Sequence, residues 1–222
     1  MRNLALAGAV LLSLVVGVRA AEEEKESRPL GISFKLSTLG VGGDLTLDLG
    51  KYFNLRGGVN YGQYDLTVIM NEADVEGKLR WLTVPILLDW HPAAGGFRIS
   101  AGAVINKNKI SLTADPKEPI ELDGTDYSIE SLEGEITFRD FSPYIGIGTG
   151  DAVGADSAVH FTCDFGVMFQ GIPDVSAHAR SSSEVVQAAL DEALQKEVDN
   201  LRDDLSWFQY YPVVSLGFSI AF

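Results

Sequence analysis

The last thirteen residues constrain the fold more than any other stretch. From Tyr210 to Phe222 the chain divides into two interleaved sets. One set is Tyr210, Pro212, Val214, Leu216, Phe218, Ile220 and Phe222. The other is Tyr211, Val213, Ser215, Gly217, Ser219 and Ala221. A period of two is that of a β-strand, whose successive side chains leave on opposite faces. Here one face is large and apolar throughout, and the other is mostly small or weakly polar.

The same division recurs upstream, over Leu82–Trp90, Phe97–Asn106, Phe141–Gly148 and Val159–Gln170. Three weaker segments, Ile32–Leu39, Asp44–Leu49 and Leu55–Tyr64, bring the expected number of strands to eight. A soluble barrel would also alternate, but its large apolar side chains would point inward and its outer face would carry many Lys and Glu. In this chain the less apolar face is rich in Gly, Ser, Thr and Asn. Small residues suit the interior of a narrow barrel, where only side chains fit. The large residues must then face outward, into lipid. The expected fold is therefore all-β: an eight-stranded antiparallel transmembrane up-and-down barrel.

The connections fall into two classes, as transmembrane barrels require. Gly50–Asn54, His91–Gly95 and Thr149–Ser157 are short and belong to one end. Gly40–Gly43, Thr67–Gly77, Lys107–Asp140 and Gly171–Trp207 belong to the other, and three of these four are long. In the last of them the period changes. Val186, Leu190, Leu194, Val198, Leu201 and Leu205 recur at three or four, which predicts an amphipathic helix over 182–206 with an acidic opposite face. Ser181, Ser182 and Ser183 offer an N-cap. An isolated helix of this length is marginal in water, so its stripe is expected to contact the barrel mouth, another copy or a protein partner.

The first twenty residues do not read as fold. Arg2 precedes the apolar run Leu4–Val18, and Val18-Arg19-Ala20 offers small residues at the −3 and −1 positions of a cleavage site. That is the pattern of a secretory signal peptide over 1–20. The expected organisation is completed by a short segment over 21–30 and the barrel over 31–222, with the helical insertion at 172–207. Without Arg2 and Arg19, 15 basic residues face 31 acidic ones, a formal charge of −16. Such a chain repels nucleic acid. Cys163 is alone, so no internal disulfide is expected.

At the carboxyl end, Ser215-Leu216-Gly217-Phe218-Ser219-Ile220-Ala221-Phe222 resembles the terminal assembly signal of bacterial outer-membrane proteins. Tyr144-Ile145-Gly146-Ile147-Gly148 and Pro85-Ile86-Leu87-Leu88-Asp89-Trp90-His91-Pro92 resemble their strands. Over Gly31–Phe222 the chain resembles the outer-membrane β-barrel superfamily that includes OmpA-like and OmpW-like small barrels. The resemblance implies residence in the outer membrane of a Gram-negative cell, contact with lipopolysaccharide, and handling by the barrel-assembly machinery. That machinery would read Ser215, Gly217, Phe218, Ile220 and Phe222. The superfamily holds anchors, adhesins, solute conduits and a few lipid-modifying enzymes, so the resemblance leaves activity open.

Two sets of charges stand out. Lys35, Asp48, Arg56, Asp89, Arg98 and Asp164 fall on the inward parity, with signs alternating on neighbouring strands. They are expected to form a salt-bridge network, because buried charges need partners. Such a network either plugs the barrel or gates a narrow conduit for small, even apolar, solutes. Lys78, Arg80, Lys107 and Arg139 fall on the outward parity at the long-loop rim. There they could grip lipid phosphates or simply extend to the interface. The three histidines, His91, His160 and His178, form no outward His–Ser pair of the kind a lipid deacylase needs. The acidic residues show no metal-binding spacing. No cofactor is expected, and the chain reads as a non-enzymatic barrel acting in envelope structure or surface interaction through its loops.

Overall fold

The computed structural model describes residues 28–70, 73–116, 119–122, 125–150, 152–153, 159–181 and 184–222. The expected signal peptide and the serines at 182 and 183 lie outside them.

Eight strands close into an antiparallel barrel: β1 (Leu30–Ser37), β2 (Gly40–Asp48), β3 (Phe53–Met70), β4 (Ala73–Trp90), β5 (Arg98–Asn106), β10 (Phe141–Thr149), β11 (Val159–Phe169) and β13 (Tyr210–Ala221). Closure is made by β1 on β13, in register from Gly31↔Ala221 to Ser37↔Ser215. Reciprocal bonds between the backbones of Leu30 and Phe222 extend that seam to the last residue. No strand edge is left in the barrel wall, so each wall strand has a partner strand on both sides.

Alternation decides which side chain goes where. On β13, Val213, Ser215, Gly217, Ser219 and Ala221 are buried, whereas Val214, Leu216, Phe218, Ile220 and Phe222 are exposed. The other wall strands repeat this, and Phe34, Ile86, Leu88, Ile147 and Phe165 all stand outward and exposed. Inside, close packing needs glycine at particular points. A Cβ at Gly146 or Gly166 would collide with the Tyr144 ring, which crosses the lumen there.

Beyond the barrel the structure departs from the sequence expectation. Thr67–Gly77 is not a loop: β3 and β4 continue as one long hairpin out to Met70 and Ala73. Nor is Lys107–Asp140 a loop. It contains β6 (Lys109–Asp115), a small β7–β8 hairpin (Ile120–Leu122 and Thr125–Tyr127) and β9 (Ser131–Thr137). Gly171–Trp207 begins with β12 (Asp174–Arg180) before its helix. Strand β6 pairs with the distal half of β4, β9 with β6, and β12 with β9. Together with the distal half of β3 they make a five-stranded curtain rising from one side of the mouth. The first connection at this end is shorter than expected, because β2 starts at Gly40, whose φ of +99° turns the chain.

The curtain is amphipathic, with its polarity reversed. Register places Leu79 beside Tyr64 and Ile110, Ile110 beside Ile136, and Ile136 beside Val175 on the face continuous with the barrel lumen. The opposite face carries Gln63, Asp65, Glu76, Lys78, Arg80, Lys109, Glu133 and Glu135. Helix α1 (Glu184–Asp204) packs against β12. Its Leu190, Ala193, Leu194 and Val198 are buried and Leu201 is left exposed, while Leu205, just past its end, is half-buried. Gln187 fastens the helix to the strand: its Nε2 donates to the Ala179 carbonyl, and its Oε1 accepts from the Ser181 N–H. Most of the predicted stripe thus finds its partner within the chain.

Candidate functional site: a stratified lumen

The barrel interior is filled in layers. Nearest the short-turn end, Ala152 and Val153 are buried and pack against Gly31 of β1. His91 closes the same end, its two ring nitrogens engaged with Asn54 at 3.1 Å and the Gly95 carbonyl at 2.9 Å.

Above this lies a charged layer centred on Arg56, which is 5% exposed. Its Nη2 donates to Asp89 Oδ1 at 3.0 Å and its Nη1 to Asp164 Oδ2 at 3.3 Å. Nε sits 2.8 Å from Asp89 Oδ2 without the alignment of a hydrogen bond, and Nη1 is 3.7 Å from Asp44. Arg98 donates from Nη2 to Asp164 Oδ1 at 2.7 Å and holds the carbonyls of Thr149 and Gly150, which fastens the turn segment to the layer. Lys35 Nζ pairs with Asp44 at 2.7 Å. Ser100 and Ser215 donate to Asp89 and Asp164. Lys35, Arg56 and Arg98 balance Asp44, Asp89 and Asp164, so the layer is formally neutral. Buried charge is tolerable only with such pairing and hydrogen bonding.

Of the six inward charges expected from sequence, the structure brings five together. Asp48 is the correction. It shares the inward parity but lies at the exposed end of β2, where its carboxylate accepts the Gly50 N–H at 2.7 Å and shapes the turn. Its expected place is taken by Asp44, four residues earlier on the same face. Parity alone could have found Asp44; what it could not give was depth along the strand.

Toward the loop end, Leu39, Leu87, Val104, Tyr144, Met168 and Val213 meet as an apolar septum across the lumen. Beyond the septum come buried amides and hydroxyls. Asn60 Nδ2 donates to Thr83 Oγ1 at 2.9 Å, and Asn106 Nδ2 to Gln170 Oε1 at 3.3 Å. The voids beside the charged layer and the septum measure only about 10 and 30 Å³, space for single waters.

The four rim cations share one band without joining into a cluster. Lys78 and Arg80 are exposed on the outer face of β4, mid-strand and not at its start, because β4 extends outward to Ala73. Lys107 pairs with Asp140 at 2.5 Å across a solvent-exposed gap. The Arg139 guanidinium lies against Gly171, whose φ is +77°. Lys109, which the sequence reading did not single out, stands beside Arg80 in the ladder and pairs with Glu135. At the seam, Phe218, Ile220 and Phe222 face outward, Ser215 and Gly217 inward, and Phe218 meets Phe161 edge-on with centroids 5.6 Å apart.

A scan against protein-family models and a search of curated proteins found no match. Among solved structures the chain is similar to two from Acinetobacter baumannii. CarO2 superposes with a TM-score of 0.58 at 20% identity, over 89% of this chain and 100% of that one. CarO gives 0.57, also at 20% identity, over 87% and 98%. At that identity the likeness is one of fold, and it covers nearly the whole chain.

Proposed function

We propose that this chain is a non-enzymatic outer-membrane protein whose barrel is a closed anchor and whose external curtain and helix do its work in envelope structure or surface interaction. The observation that carries this reading is the filled lumen: a neutral ion-paired layer under an apolar septum. Opening a path for ions would require moving both, and breaking a buried ion pair costs on the order of 3–5 kcal/mol. Outside, the belt of exposed Phe, Leu, Ile and Val far exceeds what a water-facing surface carries, and it is the surface lipid would cover. The neighbours support the same placement, since their fold matches along nearly all of the chain.

In this orientation the short turns are periplasmic and the curtain is external. The band of Lys78, Arg80, Lys107 and Arg139 then stands at the outer headgroups, where lipopolysaccharide phosphates could pair with them. The helix keeps its acidic face and Leu201 free for a protein partner or a second copy. Reconstitution into planar bilayers tests the central reading. The purified protein is expected to give no channel events above the leak of the bilayer. Stable unitary conductance that disappears in a protein-free control would overturn it and establish a gated conduit.

A further inference from the structure

Where the curtain meets the barrel, the structure forms a partly open cavity of about 140 Å³. Its walls are Leu79, Trp81, Ile110, Phe138, Phe208 and Tyr211, with the amides of Asn108 and Gln170 at its margin. Arg80 and Lys109 also border it, but strand alternation sends their side chains to the opposite face of the curtain. The side chains presented inward are therefore uncharged.

The walls are braced against collapse. Phe208 packs on Phe138 and on Tyr211, with ring centroids 5.9 and 6.0 Å apart. The Tyr211 hydroxyl donates to the Thr38 carbonyl at 2.6 Å. Gln170, fully buried, holds the short 3-10 turn Ser206–Gln209 over the cavity: its Nε2 donates to the Phe208 carbonyl and its backbone N–H to that of Gln209, both at 3.0 Å.

We propose that this cavity is a binding site for a small neutral monocyclic aromatic molecule. Size sets the first limit: an apolar cavity of ~150 Å³ holds one benzene ring. Chemistry sets the second: a charged ligand would lose its hydration and gain no counterion. The four aromatic side chains set the third, offering the edge and face contacts rings prefer. The septum below makes it a terminus rather than a passage, so the ligand is held at the external mouth.

The test uses the full-length protein in nanodiscs, with the tryptophan indole N–H signals of Trp81, Trp90 and Trp207 followed by NMR during titration with toluene. The Trp81 signal is expected to shift saturably, while Trp90, on the barrel wall away from the cavity, stays in place. Trp207 packs on Phe208 with centroids 5.3 Å apart and should respond only weakly. Ile110→Phe and Leu79→Phe, which fill the cavity from two sides, should each weaken the effect at least about tenfold, or 1.4 kcal/mol. An unchanged Trp90 signal in those variants would certify that the barrel is folded. Parallel movement of all three indoles would mean partitioning into lipid and would overturn the site. So would absence of saturation at toluene's solubility limit, or binding that survives both filling variants. Displacement of toluene by octane at equal concentration would overturn the aromatic assignment and leave an acyl-chain site.

Discussion

The barrel wall and the curtain are built from the same two strands, yet their polarity is opposite. On the outer face of β4, Trp90, Leu88, Ile86, Val84 and Leu82 give way to Arg80, Lys78 and Glu76. On β3, Val59 and Tyr61 give way to Gln63 and Asp65. The inner face changes in the other sense, from Arg56, Asn60, Asp89 and Thr83 to Tyr64, Leu66 and Leu79. The ladder runs through the change without a bulge, Tyr61↔Leu82 and then Gln63↔Arg80. Nothing in the backbone marks the boundary. What changes is the solvent that each face must meet: lipid outside the wall, water outside the curtain. The interiors follow. The wall encloses a polar filling because its apolar residues are spent on lipid. The curtain has an apolar inner face, and helix α1 covers the part of it nearest β12.

The two regions should therefore answer differently to the same kind of substitution. The largest effect is expected in the charged layer. Arg56→Leu leaves Asp44, Asp89 and Asp164 with too little positive charge in a buried site and should cost on the order of 3–5 kcal/mol in denaturant unfolding from detergent. Lys196→Leu on the exposed face of α1 should stay within about 0.5 kcal/mol. Equal losses would show that the layer does not bear on stability. Next comes the outer face itself. Leu88→Lys places a charge in the lipid belt and should cost about 2–4 kcal/mol. Thr113→Lys, also outward but in the curtain, should change stability by no more than about 0.5 kcal/mol. A similar cost at both would erase the distinction between the regions.

The smallest effect on stability is expected at the boundary. Changing Lys78, Arg80, Lys107 and Arg139 together to Gln removes exposed pairs such as Lys107–Asp140, worth roughly 0–1 kcal/mol each. Folding should be retained, and lipopolysaccharide that co-purifies with the protein should fall. Unchanged lipid content with an intact barrel would mean that these side chains merely reach to the interface.

The wall was legible in the sequence because lipid imposes a strong rule. Large residues had to stand on one parity, and all eight strands carry that mark, most plainly from Tyr210 to Phe222. The curtain was not legible for the complementary reason. Its inner face is built partly of small residues, Ala114, Gly134, Ala177 and Ala179, and the charges around them read as a solvated loop. Its pairing order, β4 to β6 to β9 to β12, is a matter of long-range register that no local pattern encodes. The helix was readable from its stripe, but the strand it packs on was not. In the charged layer, parity identified Lys35, Arg56, Asp89, Arg98 and Asp164. It could not show that a lumen this narrow lets Arg56 reach across to Asp164 at 3.3 Å, beyond its neighbours in the ladder. It also placed Asp48 too deep and passed over Asp44.

The most direct test of the inverted polarity is a spin-label accessibility scan along β4. Cys163 would first be replaced by Ala, and single cysteines introduced at Glu76, Lys78, Arg80, Leu82, Val84, Ile86 and Leu88 in the protein reconstituted into bilayers. Relaxation by oxygen, which concentrates in lipid, and by a water-soluble nickel complex would be compared at each site. Labels at 82, 84, 86 and 88 should favour oxygen and those at 76, 78 and 80 the nickel complex, with the crossover between 80 and 82. Oxygen preference continuing unbroken through 76, or nickel access at 84–88, would contradict the placement of the membrane on this fold.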